Sequence, residues 1–286
     1  VVDELDGTYP YGKQKRNRGG MWYTPVTGIW QTVWIESVSS KYITELSVSV
    51  EENEVEISAF GVSEGEVCVD ADGKEVKVSL SGGKAKFALE SVRMWSPDDP
   101  YLYRYTIDTE GDHVSSYFAV RKVSIENKNS KPVICLNSKP IFLHGLLDQG
   151  YFSDGIYTPA SPACYAQDIL AMKSLGFNTL RKHIKVEPEQ FYYDCDRLGM
   201  LVMQDMVNNG HYSFIRDTAL PTIGIKKLSD KHLHRDETTR EAFYDGMEAT
   251  VNQLRNHPCI IYWTIFNEGW GQFDGNAAYH RLRALD

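Results

Sequence analysis

From about residue 125 to its last residue the chain repeats one unit: a short apolar run, a polar turn and an amphipathic segment of helical period. IFLHGL, NTLRKH, LVMQD and CIIYWTIFNE are the apolar runs, and the last is nearly free of polar side chains, as a strand covered on both faces must be. Between the first two, Ser161-Pro162 supplies a cap and a first-turn proline for a helix with Tyr165, Ile169 and Met172 on one face. Pro188 opens a second helix, with Phe191, Cys195 and Leu198 on a stripe and Gly199 at its stop. Phe243, Met247, Val251 and Leu254 mark a third before Pro258. Repeated βα units of this size predict a parallel sheet. No Gly-rich phosphate loop follows the first run, so a (β/α)8 barrel is favoured over a dinucleotide-binding fold, with four of its eight strands present.

The preceding stretch has a different period. Over about residues 38–124, ITELSVSV, EVEISAFG, EVCVDA, KEVKVSL, KAKFAL, LYRYTI and SSYFAVRKV alternate apolar and polar residues, and Asp-Gly, Gly-Gly and Glu-Gly turns separate them. Short strands at even spacing predict an immunoglobulin-like β-sandwich. Residues 1–37 are rich in Gly and aromatics, with Trp22, Trp30 and Trp34 close together, and read as the end of a further β-domain in which QTVWIE is a strand.

Charge and cysteine usage exclude several functions. A net charge of −9 lacks the basic surface that binds phosphate backbones, so nucleic acid is not an expected partner. No apolar run approaches the roughly 20 residues of a bilayer span. The five cysteines are scattered singly, which suggests neither a zinc ribbon nor a disulfide framework, and no secretory signal is visible at Val1-Val2. No metal or organic cofactor is expected. The compartment, cytoplasmic or periplasmic, is left open.

Barrel active sites gather at the C-terminal ends of the strands. There the four runs present Asp148 and Gln149, then Arg181 and His183, then Gln204 and Asp205, then Asn267 and Glu268. Acids, amides, a guanidinium and an imidazole without metal-ligand spacing suit recognition of a polyhydroxylated substrate and proton transfer to a poor leaving group. Trp270 offers an aromatic face on which a sugar ring can stack. The long segment 207–236 is expected to wall the pocket, and its His232-Leu-His234 reads as a solvated loop rather than a metal pair.

WTIFNEGWG resembles the acid/base motif of glycoside hydrolase family two, which comprises β-galactosidases, β-glucuronidases and β-mannosidases. MWSPDDPYLY resembles that family's sandwich signature, and FAVRKVSIE its exit into the barrel. GGMWYTPVTGIWQTVWIE is similar to the end of its N-terminal jelly-roll domain, and LRKHIKVEPEQFYYDCDRLGMLVMQD to its second and third barrel strands. The resemblance implies a jelly-roll end over 1–37, an immunoglobulin-like sandwich over 38–124 and the first half of a TIM barrel over 125–286. It further implies a retaining exo-β-glycosidase acting on terminal β-linked sugars. Glu268 is then the general acid/base and Asn267 the partner of the sugar 2-hydroxyl. Arg181 would help to keep the nucleophile ionised, and His183 would lie near the sugar. Strand one departs from the family pattern, since Gly145 is followed by Leu-Leu-Asp-Gln where a basic-His run is usual, and Asp148 is expected to contact the sugar instead.

The family's nucleophile is a glutamate on the seventh strand, and Asp148, Asp205 and Glu187 do not match its motif. The chain alone is therefore expected to be inactive, with open edges that pair with further polypeptide or with other copies as a homo-oligomer. Two rival readings are a non-catalytic carbohydrate-binding protein on the same fold and a metal-dependent barrel hydrolase, whose His-x-His on the first strand is lacking at His144.

Overall fold

In the computed structural model, which describes residues 7–224 and 229–286, seven antiparallel strands come first. They are β1 (Glu45–Glu51), β2 (Glu54–Phe60), β3 (Glu64–Ala71), β4 (Lys74–Ser81), β5 (Lys84–Ala88), β6 (Tyr103–Asp108) and β7 (His113–Phe118). Their order is β1-β2-β5-β4-β3-β6-β7. β4 and β5 share only the pair Ser81↔Lys84, so the sheet turns a corner at Gly82-Gly83. Both glycines have positive φ, and a Cβ on Gly83 would lie 2.8 Å from the Ala59 carbonyl oxygen. The two parts close over one core: Phe87 of β5 lies 6.2 Å from Phe118 of β7, four strands away in the sheet. Alternation puts Val55, Ile57, Val67, Val69, Tyr105 and Ile107 inside, which is the sandwich the period predicts.

SSYFAVRKV is not one strand. β7 ends at Phe118, and a three-stranded meander follows: β8 (Val123–Lys128), β9 (Lys131–Leu136) and β10 (Lys139–Pro140). Its turns place Asn129-Ser130 and Asn137-Ser138 at positive φ, a conformation that Asn tolerates better than most residues. Ile141 donates its N–H back to Ile134, so IFLH extends the meander, and the first parallel strand is β11 (Gly145–Asp148). QTVWIE is not a strand either; Val33, Trp34 and Ile35 are exposed and pair with nothing among the described residues.

β11, β12 (Thr179–Lys182), β13 (Leu201–Asp205) and β14 (Ile260–Thr264) form one parallel sheet in chain order. Its helices are α1 (Ala163–Ser174), α2 (Glu189–Leu198), α3 (Glu237–Leu254) and α4 (Gly275–Arg283). Ser161 Oγ accepts from the Ala163 N–H, Gly199 ends α2 in the left-handed region, and the Asp236 side chain caps α3. Tyr165, Ile169, Phe191 and Cys195 bury the helix stripes against Leu180, Leu201 and Val202.

The two units meet through buried polar contacts. Trp95 Nε1–H donates to the Asp196 carbonyl at 2.7 Å, and Arg121 donates to the carbonyls of Pro258 and Ile260. His257 lies between Asp196 (2.6 Å) and Glu189 (2.7 Å), with Tyr117 donating to the same Asp196 carboxylate. Burial alone lowers a histidine pKa, but hydrogen bonds to the two carboxylates outweigh it and raise His257 to about 9.

Candidate active site

The two faces of the parallel sheet carry different chemistry at the C-terminal rim, because neighbours in register share a face and successive residues alternate. Arg181 is registered with Met203, and Asp205 lies two residues on, so Arg181 and Asp205 share the inner face. Lys182 is registered with Asp148 and with Gln204, on the helix side.

On the inner face Asp205 is fully buried and accepts from Arg181 Nε (3.0 Å), Arg181 Nη2 (2.9 Å) and His183 Nδ1 (3.1 Å). Arg181 Nη2 also donates to Asn267 Oδ1 at 2.8 Å. One guanidinium therefore ties the ends of β12, β13 and β14 together. With its oxygen taken, Asn267 keeps a buried Nδ2 with no partner among the described residues, and His183 keeps a buried Nε2 in the same condition. A buried polar atom left unbonded costs about 1–3 kcal/mol, so such atoms at a strand-end rim mark where a polar ligand would be accommodated. Asn208 Oδ1, Asn209 Oδ1 and Trp270 Nε1 are likewise buried and without a partner among the described residues.

Glu268 follows Asn267 and is exposed, without a hydrogen bond or ion pair among the described residues. Its φ is +60°, and Ile184, next to His183, has φ +53°. Non-glycine residues in this region cost about 1–2 kcal/mol each, more for a β-branched side chain, and such strain collects at functional sites. The loop is held from behind. Asn208 Nδ2–H donates to the Trp270 carbonyl at 2.8 Å, and the Gly271 N–H donates to His234 Nε2 at 3.2 Å. Burial, then the nearby Arg216 cation, lowers the His234 pKa to about 4, so the ring is neutral and able to accept that bond near pH 7.

Several expected residues sit elsewhere. Asp148 is not on the inner face: its Oδ2 is 3.0 Å from Lys182 Nζ on the helix side. There Lys182 and Lys185 meet Glu187 Oε1 at 2.6 and 2.9 Å, and Tyr165 O–H donates to Glu187 Oε2. Burial lowers Lys185 to about 8, whereas for Lys182 the two carboxylates outweigh burial and raise its pKa. Gln204 also faces the helices, where it accepts from Tyr192 O–H. Trp270 offers no open face: it is 1% exposed, covered by Tyr11 and Trp22 with centroids at 5.7 and 5.4 Å. His234 is not a solvated loop residue but a support for the Glu268 loop. Among the described residues no cluster of His, Cys, Asp or Glu could hold a metal ion.

The covering segment is the least expected element. Residues 7–24 lie on the barrel rim, the N–H groups of Tyr11 and Gly12 donate to the Asn208 carbonyl, and Tyr23 stacks on Tyr151 at 3.9 Å. Trp30 stands 5.1 Å from Lys185 Nζ.

The description "Glycosyl hydrolases family 2, TIM barrel domain" matches residues 123–286, and "Glycosyl hydrolases family 2" matches residues 32–121. The chain belongs to glycoside hydrolase family 2. A β-galactosidase of Lactococcus lactis is 23% identical over 91% of the chain, and one of Aeromonas hydrophila is 30% identical over 63%. The chain covers only 26% and 16% of their lengths. Among solved structures, a β-D-glucuronidase of Dictyoglomus thermophilum superposes with a TM-score of 0.70 at 20% identity, over 86% of this chain and 42% of that one. A β-glucuronidase of Parabacteroides merdae gives 0.64 at 20% identity, over 92% and 34%. At such identities these two share the fold. In this family 2 chain the immunoglobulin-like and TIM-barrel parts are both present.

Proposed function

We propose that this family 2 chain is the acid/base-bearing part of a retaining exo-β-glycosidase. In this reading residues 1–37, of which 1–6 lie outside the described residues, are the end of a jelly-roll domain, 38–124 the sandwich, and 125–286 the first half of the barrel. The observation that carries it is the pairing of an exposed Glu268, in a strained backbone conformation at a strand end, with an Asn267 whose oxygen Arg181 already occupies.

The chemistry follows from that geometry. Glu268 protonates the glycosidic oxygen as the bond to the anomeric carbon breaks, then takes a proton from water in the second step. Asn267, held by Arg181, presents its Nδ2–H to the sugar 2-hydroxyl, a bond that strengthens as charge develops on the ring. His183 donates from Nδ1 to Asp205, which leaves Nε2 to accept from a sugar hydroxyl. Asp205 is enclosed by Arg181 and His183 and acts as a positioning residue. The nucleophilic carboxylate, about 5–5.5 Å from the acid/base in retaining enzymes, is expected on a later barrel strand.

β-Galactosides are the first substrates to test, since the relatives in sequence are β-galactosidases. Nitrophenyl β-galactoside, β-glucuronide and β-mannoside, offered to the protein extended through the remaining strands, should show release from one and not the others. Release from none would reject the proposal.

A further inference from the structure

Between residues 7 and 35 the chain has no Asp or Glu, yet Lys13, Lys15, Arg16 and Arg18 fall within one short run, in a protein of net charge −9. The fold lays this run on the rim beside the Glu268 loop, where a pocket of about 240 Å3 opens between Tyr11, Gln14, Lys15, Arg16, Trp22 and Tyr212. Among the described residues no carboxylate lines it. Asp217, whose charge acts on Tyr11, is already bound by Arg216 at 2.6 and 2.8 Å.

The pocket is built rather than draped. Gln14 donates to the Tyr11 carbonyl and accepts from the Val26 N–H, which pins the loop from inside. Trp22 packs edge-on against both Trp270 and Tyr212, so its position is fixed from the barrel side. Lys15 Nζ stands 5.4 Å from the Trp22 ring centroid. Lys15 and Arg16 have no ion pair among the described residues, whereas Lys74, Lys84 and Lys86 on the sandwich each have a glutamate at 2.6 Å. Two cations without an ion pair among the described residues, beside an aromatic wall, favour a ligand with an apolar ring face and a negative group. The volume is below that enclosing a drug-sized ligand and suits one sugar unit.

We infer that this pocket is a leaving-group subsite for a saccharide unit bearing a carboxylate or a sulfate. The inference rests on the glycosidase reading, in which the acid/base protonates the leaving-group oxygen. The strap and the Glu268-to-Trp270 loop meet on that flank of the rim.

The test is calorimetric and NMR titration of the full chain with lactose, lactobionate and lactose sulfated on its glucose, following the Trp indole N–H signals. Lactobionate and the sulfate should each bind about tenfold tighter than lactose at low salt, about 1.4 kcal/mol, with the preference shrinking as salt rises. The double variant Lys15→Ala/Arg16→Ala should bring both anions to the level of lactose measured on the same variant. A tenfold preference for either anion alone supports the subsite and identifies the group it takes. Equal affinities for all three sugars, or a preference that survives the double variant, overturns the subsite and leaves the glycosidase reading standing. Failure of all three to bind overturns the subsite, whereas the glycosidase reading, which does not require a galactoside, stands or falls on the aryl-glycoside panel.

Discussion

His257→Gln removes the cation at the junction of sandwich and barrel. In the wild type the imidazolium donates from Nδ1 to Asp196 at 2.6 Å and from Nε2 to Glu189 at 2.7 Å. Its folded pKa is about 9 against an ordinary 6.5, so the folded state holds this proton more tightly than the unfolded one. The resulting stability is fully present below pH 6.5 and is lost as pH rises through 9. At about 1.4 kcal/mol per pH unit the contribution is roughly 3 kcal/mol, or about 6–12 °C in Tm for a domain of this size. Lys185 acts in the opposite sense: with a folded pKa near 8, below the usual lysine value, it makes the fold more stable as pH rises above 8. Since Lys185 is common to both proteins, the difference in Tm between wild type and variant isolates His257. Melting curves at intervals from pH 6 to 10 should show that difference largest at the acid end and shrinking through pH 9. A difference that is constant or grows with pH would refute the assignment of a charged histidine there.

Further expectations concern the rim. Asn267→Ala should lower kcat on the natural sugar by well over tenfold and hurt a 2-deoxy substrate less; equal losses on both would remove the 2-hydroxyl contact. His234, with its pKa lowered to about 4, should cost the fold stability as pH falls from 6.5 towards 4, and His234→Ala should flatten that acid limb of the Tm profile. Trp270→Ala, at a 1% exposed site, should destabilise by about 3–5 kcal/mol in urea melts. A change below about 1 kcal/mol would show that Tyr11 and Trp22 do not enclose it.

The elements with strong periods were legible in the sequence. Ser161, Pro188 and Gly199 act as the punctuation they appear to be, and Phe243, Met247, Val251 and Leu254 bury the face they share. Arg181, His183 and Asp205 meet at one rim because they lie at the ends of parallel strands, and Asn267 reaches them from the loop three residues after β14. Asp148 was misread because its face depends on register, and β11 begins at Gly145, four residues later than the apolar run suggests. The meander had a local signal in its paired Asn-Ser turns, which the strand pattern around it masked. The strap over Trp270 had none: Tyr11 meets Asn208 and Gly210 across about 200 residues, and no local period encodes such a contact.

Central to this account is Glu268 as the acid/base, which can be tested by replacing it with alanine in the protein extended through the remaining barrel strands. Unactivated disaccharides should then turn over more slowly by several orders of magnitude, while aryl glycosides with good leaving groups still form the glycosyl-enzyme. Azide, which needs no general base, should restore turnover and yield the β-glycosyl azide. Near-normal hydrolysis of an unactivated disaccharide by Glu268→Ala, without azide, would contradict the assignment.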